Sequence, residues 1–284
     1  MTEPLRCYRH PNRETYVSCS ECGRGICPDC MVYGPVGIRC PDHARGAGVA
    51  PRQRATIAAR RFSAPVGLVT RILIGINVAV YLLELAGGAG FNGNSGWIYE
   101  HGVLVSRAID SSGHLVGVAE GDWWRLITAA FLHYGPVHLG LNMLVLWFIG
   151  PSLEEYFGRW RYLLVYLVSG LAGSAGALIL TPNAPTVGAS GAIWGLMGAA
   201  VVLEARRINV LGGQAMGLLV LNLVFTFALG LGAGSISIGG HIGGGIAGAA
   251  AAFALLTLRR TPTLGTLSVA AIGAIAVAVA LLTV

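Results

Sequence analysis

The sequence predicts an all-α polytopic membrane protein preceded by a small zinc-binding domain, and three observations carry that prediction. Of 284 residues, 54% are hydrophobic and 11% charged, whereas a soluble domain is about 25% charged. Seven apolar stretches follow one another between residues 67 and 283, each close to the ~20 residues that cross the hydrocarbon of a bilayer. All six Cys fall within the first 45 residues. This composition excludes a soluble globular enzyme. The net charge of +6 does not describe a basic binding face, because 10 of the 19 Arg precede residue 62. No nucleic-acid partner is expected.

Residues 1–45 are polar and lack the basic start and apolar run of a secretory signal. The amino terminus is therefore expected in the cytoplasm, where clustered thiols bind metal more often than they form disulfides. The spacing is Cys7-x2-His10, Cys19-x2-Cys22, Cys27-x2-Cys30 and Cys40-x2-His43. Each such pair turns two ligands toward one ion, and two pairs complete a tetrahedral shell. Eight ligands thus predict two structural Zn2+ ions with no open catalytic position. A segment with so few large apolar residues needs such a staple to fold. The spacing resembles the B-box and related cross-braced fingers. That resemblance implies interleaved sites, Cys7, His10, Cys27 and Cys30 in one and Cys19, Cys22, Cys40 and His43 in the other. Sequential pairing is the alternative, and the spacing leaves it open. A cytoplasmic protein partner is expected for this domain. Residues 46–65, rich in Arg, Ala and Gly, read as a linker to a membrane domain at 66–284.

The predicted spans are 67–87, 136–156, 161–181, 188–205, 213–232, 236–257 and 264–283. Small residues recur through them, as close helix packing in lipid requires. Arg52, Arg54, Arg60 and Arg61 precede the first span, Arg159 and Arg161 follow the second, Arg206 and Arg207 the fourth, and Arg259 and Arg260 the sixth. The connections at 182–187 and 233–235 carry no charge. Arg concentrates on the cytoplasmic side, so the amino terminus is expected inside and the carboxyl terminus outside, in a bacterial plasma membrane. One outer connection, 88–135, is long and holds Trp97, Tyr99, Trp123 and Trp124, residues that favour the membrane interface.

Polar residues inside spans mark function by default. Span 2 carries His138 and Asn142 one helical turn apart, span 4 opens Gly188-Ala189-Ser190-Gly191, and span 6 carries His241 among glycines. At 1.5 Å per residue, Asn142, Ser190 and His241 all lie within ~5–10 Å of the outer boundary. Ser becomes a nucleophile when an adjacent base takes its proton, and His is the usual base. Asn, His and a backbone N–H at a helix start can hold an oxyanion. No Asp or Glu is expected in any span near this depth, which leaves a Ser-His dyad in place of a triad.

With these motifs the chain resembles the rhomboid intramembrane serine proteases over about 66–284. Gly-Ala-Ser190-Gly resembles the family's nucleophile motif, His241 its base, and His138-x3-Asn142 the pair assigned to its oxyanion hole. Gly244-x3-Gly248 follows His241 at the family's spacing. Trp124-Arg125 matches its loop element, and Gly150-x3-Glu154-x3-Gly158 matches the turn after span 2. The resemblance implies a six-helix bundle with a seventh, carboxyl-terminal span, a peptidase that cleaves transmembrane protein substrates in the bilayer, and no cofactor for catalysis. It also places Gly188 at the substrate and Gly244 and Gly248 at the packing of span 6 on span 4. Trp194 stands where the family often has Tyr against the catalytic His, so the phenolic hydroxyl is lost. The alternative is a catalytically inactive rhomboid-like protein that binds membrane helices, and the presence of both Ser190 and His241 argues against it. A transporter would carry charged pairs at the bilayer midplane, which the spans lack.

Overall fold

The computed structural model describes residues 4–33, 37–44, 67–91, 93–233 and 237–284. The expected linker at 46–65 lies outside them. The chain divides into two compact units, Met1–Ala64 and Pro65–Val284. In the first, strands β1 (Leu5–Arg6) and β2 (Glu14–Thr15) form one antiparallel hairpin. Strands β3 (Val32–Tyr33) and β4 (Ile38–Arg39) form another, and a single turn α1 (Pro41–Ala44) follows. The core is made of Cys7, Cys19, Cys27, Cys30 and Cys40 around Ile26. Thiols stand where a larger domain would put leucines.

The second unit is helical: α2 (Leu68–Ala86), α3 (Trp97–Gly102), α4 (Arg125–Thr128), α5 (Gly135–Phe157), α6 (Arg159–Leu180), α7 (Ser190–Ala205), α8 (Ala215–Ala233), α9 (Ile238–Thr257) and α10 (Pro262–Leu282). A short hairpin of β5 (Ala108–Ile109) and β6 (Leu115–Val116) lies between α3 and α4. Helices α2, α5, α6, α9 and α10 are long and apolar enough to cross a membrane. Helix α7 has 16 residues. It starts two residues later than the predicted span, because Gly188 sits at φ +123°, a conformation that suits Gly and ends the approaching loop. Large apolar side chains such as Leu83, Phe148, Val224 and Ile246 are exposed on the outside of the bundle, which fits a lipid surround.

The centre is held by backbone contact. A Cβ at Gly244 would collide with the Gly191 carbonyl, and one at Gly248 with that of Gly195. On the other side of α9, a Cβ at Gly239 would meet the carbonyl of Gly176, and one at Gly243 that of Ala172. Helix α9 therefore lies backbone to backbone on both α6 and α7. Lipid supplies no hydrophobic drive between helices, and close approach over small residues supplies dispersion in its place. The last helix, α10, docks on α6, where Gly273 faces Val168.

Polar pins fix the periphery. Glu154, buried near the end of α5, receives the Val69 N–H at 3.0 Å and the Thr70 N–H at 2.9 Å, and also the Thr70 hydroxyl at 3.0 Å. A carboxylate thus caps the positive end of α2. Gly150, one turn earlier, leaves room for Thr70 and the Tyr162 hydroxyl.

The glycine contacts differ sharply in what they tolerate. Gly248→Leu is expected to destabilise the bundle by at least about 2 kcal/mol, read as a lower unfolding midpoint in detergent. Gly140→Ala, where a Cβ meets nothing within 4 Å, is expected to leave the midpoint unchanged.

Candidate active site

Ser190 is the first residue of α7, where helical N–H groups have no intrahelical partner. Gly188 reaches this point because its N–H donates to the Ala129 carbonyl at 2.8 Å. His241 lies in the first turn of α9, whose start is capped by Ser237: its Oγ accepts the Gly240 N–H at 3.1 Å. Across the glycine contact of α7 and α9, His241 Nε2 and Ser190 Oγ are 2.9 Å apart. The two residues are 51 apart in sequence. The Trp194 ring stacks on His241 with centroids 4.9 Å apart and planes within 11°. The indole therefore keeps the stack, but among the described residues its buried Nε1 finds no acceptor.

His138 and Asn142 line the same cavity as Ser190 and His241, a space of about 590 Å³. His138 Nδ1 accepts the Tyr134 N–H at 3.3 Å. A neutral imidazole has one N–H, so this bond leaves the hydrogen on Nε2, which lies beside Gly188. A Cβ at Gly188 would come within 2.9 Å of that nitrogen. Asn142 Nδ2 donates one hydrogen to the His138 carbonyl at 2.9 Å and has a second to offer. Every sequence-predicted polar residue of the membrane site thus borders one cavity.

Two other predicted positions act at a distance. Arg125, 1% exposed, donates from Nη1 to the carbonyls of Glu100 at 2.7 Å and Val103 at 3.0 Å, and from Nε to Asp122 at 2.9 Å. Trp124 Nε1 donates to the His101 carbonyl at 3.0 Å. These bonds hold the long loop whose end, Ala129, positions Gly188.

One expectation needs correction. Glu84, near the end of α2 that leads into the long loop, is 1% exposed, so a carboxylate does stand in a span toward this side. It faces the His133 N–H at 3.4 Å, and His241 has a different neighbour. That neighbour, Thr226 of α8, has Oγ1 3.4 Å from His241 Nδ1. Sequence reasoning missed Thr226, although Asn222 and Thr226 repeat in α8 the one-turn polar spacing that marked His138 and Asn142.

In the amino-terminal unit, the ligand atoms of Cys7, His10, Cys27 and Cys30 gather within 4.8 Å of one another, as do those of Cys19, Cys22, Cys40 and His43. This is the interleaved arrangement. A tetrahedral zinc shell with arms of ~2.0–2.3 Å has ligand–ligand edges of about 3.3–3.8 Å. His10 Nδ1 lies 3.3, 3.4 and 3.7 Å from the sulfurs of Cys27, Cys30 and Cys7. His43 Nδ1 lies 3.2 and 3.9 Å from Cys40 and Cys19. The donor set and its spacing fit a metal ion. Burial acts to raise the Cys7 and Cys19 thiols, but backbone N–H groups outweigh it and bring both to about 6, which favours the thiolate that a metal binds.

A bundle with five membrane-length helices and a Ser-His pair at a helix start inside it defines a multi-pass membrane protein of hydrolase-like architecture. The rhomboid domain family matches residues 120–258. The chain is 42% identical over 142 residues to the rhomboid protease GluP of Bacillus subtilis (strain 168), covering 49% of this chain and 27% of GluP. It is 35% identical over 145 residues to YdcA of the same organism, covering 51% of this chain and 72% of YdcA. It is also 33% identical over 103 residues to Inactive RHOMBOID-like protein 8 of Arabidopsis thaliana, 36% of this chain and 29% of that protein. The chain belongs to the rhomboid family. Its matched part spans about a quarter of GluP, and the amino-terminal Cys and His clusters and α10 lie outside the family match.

The buried guanidinium gives a direct check of the loop. Arg125→Met leaves the Glu100 and Val103 carbonyls without their donor and is expected to cost about 2–4 kcal/mol. Thermal unfolding in detergent measures it.

Proposed function

We propose that the chain is an intramembrane serine endopeptidase that hydrolyses transmembrane segments of other membrane proteins. The observation that carries this is the 2.9 Å contact of Ser190 Oγ with His241 Nε2, inside a cavity also bordered by His138 and Asn142. Relatives named as proteases support it. A relative named inactive shows that family resemblance alone carries no activity, so the weight rests on the Ser-His pair.

Ser190 Oγ attacks the scissile carbonyl carbon while Nε2 of His241 takes its proton. The carbonyl oxygen becomes an oxyanion within reach of the Ser190 N–H, the Nε2–H of His138 and the second Asn142 hydrogen. Collapse breaks the C–N bond, and His241 returns the proton to the leaving amine. A water then loses a proton to Nε2 and attacks the acyl carbon, the C–Oγ bond breaks to release the carboxyl product, and His241 returns the proton to Ser190 Oγ.

In the same reading all seven long helices, α2 and α5 to α10, cross the bilayer, with the amino terminus in the cytoplasm of a bacterium and the carboxyl terminus outside. The Arg clusters support this orientation. The amino-terminal unit then holds two Zn2+ ions on Cys7, His10, Cys27 and Cys30 and on Cys19, Cys22, Cys40 and His43. Zinc there closes the fold of a segment too poor in apolar residues to fold alone, and the unit is left to dock a cytoplasmic protein.

Ser190→Ala and His241→Ala are each expected to abolish cleavage of a reference transmembrane substrate by folded protein in micelles. Asn142→Ala is expected to slow it by about 10²-fold. Near-normal turnover in Ser190→Ala would overturn the peptidase reading, and an unchanged rate in Asn142→Ala would make that residue a packing element.

Metal analysis of the whole protein is expected to give two zinc ions per chain, and Cys27→Ser to lower the count toward one. A chain lacking residues 1–45 is expected to keep its cleavage rate on the same substrate. A single zinc in the unaltered protein would reduce the two clusters to one site.

A further inference from the structure

Helix α8 places two polar residues in a strongly apolar run, Asn222 and Thr226, and both border the cavity. Thr226 is 8% exposed. Its Oγ1 lies 3.4 Å from His241 Nδ1, the ring nitrogen turned away from Ser190. The contact is long for a hydrogen bond, as catalytic contacts often are before substrate binds.

We propose that Thr226 is a positioning residue for the base. It accepts the Nδ1–H of His241 and thereby holds the ring as the tautomer whose Nε2 lone pair faces Ser190. The proposal rests on the Ser190–His241 reading given above.

A neutral imidazole carries one hydrogen. If that hydrogen were on Nε2, the ring would donate to Ser190 Oγ and could not take its proton. The partner of the remote nitrogen decides between the two forms. In a triad a carboxylate fills this role, but among the described residues none bonds Nδ1, whose neighbour is Thr226. Among the described residues of the helical unit, the buried carboxylates Glu84 and Glu154 are occupied elsewhere, Glu84 at the His133 N–H and Glu154 at the start of α2. A hydroxyl accepts the same hydrogen without placing a charge in an apolar bundle, where charge is expensive. When His241 becomes an imidazolium on proton transfer, its Nδ1–H is a stronger donor, and the Thr226 bond strengthens with it. The tautomer is thus set by a helix that carries neither member of the pair.

The test uses three forms of the full chain, the unaltered protein, Thr226→Val and Thr226→Ser. Protein labelled with 15N in its imidazoles is examined by NMR in micelles, with the His241 resonances assigned by their loss in His241→Ala. Cleavage of a transmembrane substrate is followed in parallel. The unaltered protein is expected to carry the hydrogen on Nδ1. Thr226→Val is expected to shift the ring toward the Nε2–H form and to lower kcat by roughly tenfold with KM little changed. Thr226→Ser, which returns the hydroxyl, is expected to restore both. Thr226→Val with an unchanged tautomer and kcat would overturn the proposal and leave the Ser190–His241 reading standing. A loss of kcat that Thr226→Ser does not recover would assign Thr226 to packing and also overturn it. If the unaltered protein cleaves no faster than Ser190→Ala, the underlying reading fails, and the role given to Thr226 falls with it.

Discussion

The structure depends on one constraint, the backbone contact between α7 and α9. Gly191 and Gly195 on one helix face Gly244 and Gly248 on the other so closely that no Cβ could stand between them. Ser190 adjoins the first of these glycines, and His241 is one turn from Gly244. The interhelical distance that the glycines set is therefore the distance that brings Nε2 to Oγ. A wider crossing built on alanine or leucine would carry the same two side chains out of hydrogen-bond range. Glycine weakens a helix in water, yet in lipid it allows the approach from which association is made.

Around this contact, a few polar groups are paired so that they fix helix ends and loops. Glu154 receives three hydrogens at the start of α2, Ser237 caps α9, and Arg125 gathers two carbonyls and a carboxylate in the long loop. Unpaired, any of these groups would be costly away from water. Paired, they fix helix ends and loop positions that apolar packing would leave adjustable. The loop in turn holds Gly188 through Ala129, and Gly188 leaves the space beside His138. The site is therefore formed from the tips of several rigid elements.

Much of this was legible in the sequence. Apolar stretches of membrane length mark the five helices long and apolar enough to cross a bilayer, since length and hydropathy decide what crosses it. The Ser-Gly and Gly-Gly-His motifs identify the pair, because polar groups in such helices are rare enough to stand out. The Cys and His pairs stand out by their spacing, and the fold gathers them in the interleaved order that spacing alone leaves open. Thr226 was not legible because a lone Thr in an apolar helix commonly bonds its own backbone. Only the folded chain shows that it faces His241 Nδ1. Glu84 was overlooked for the opposite reason. It stands in a span, but its partner is a backbone N–H 49 residues away, which no local pattern announces. The start of α7 shifted because Gly188 takes a conformation that hydropathy does not register.

The central claim is that the packing of α7 on α9 sets the Ser190–His241 contact on which the proposed activation of Ser190 rests. A fluorophosphonate probe applied to the protein in membranes, followed by peptide mapping, tests it most directly. The account predicts a single adduct on Ser190, absent when the protein is unfolded before exposure. Absence of an adduct on Ser190 in folded protein, or equal labelling of Ser169 and Ser174, which are also buried in the bundle, would contradict it.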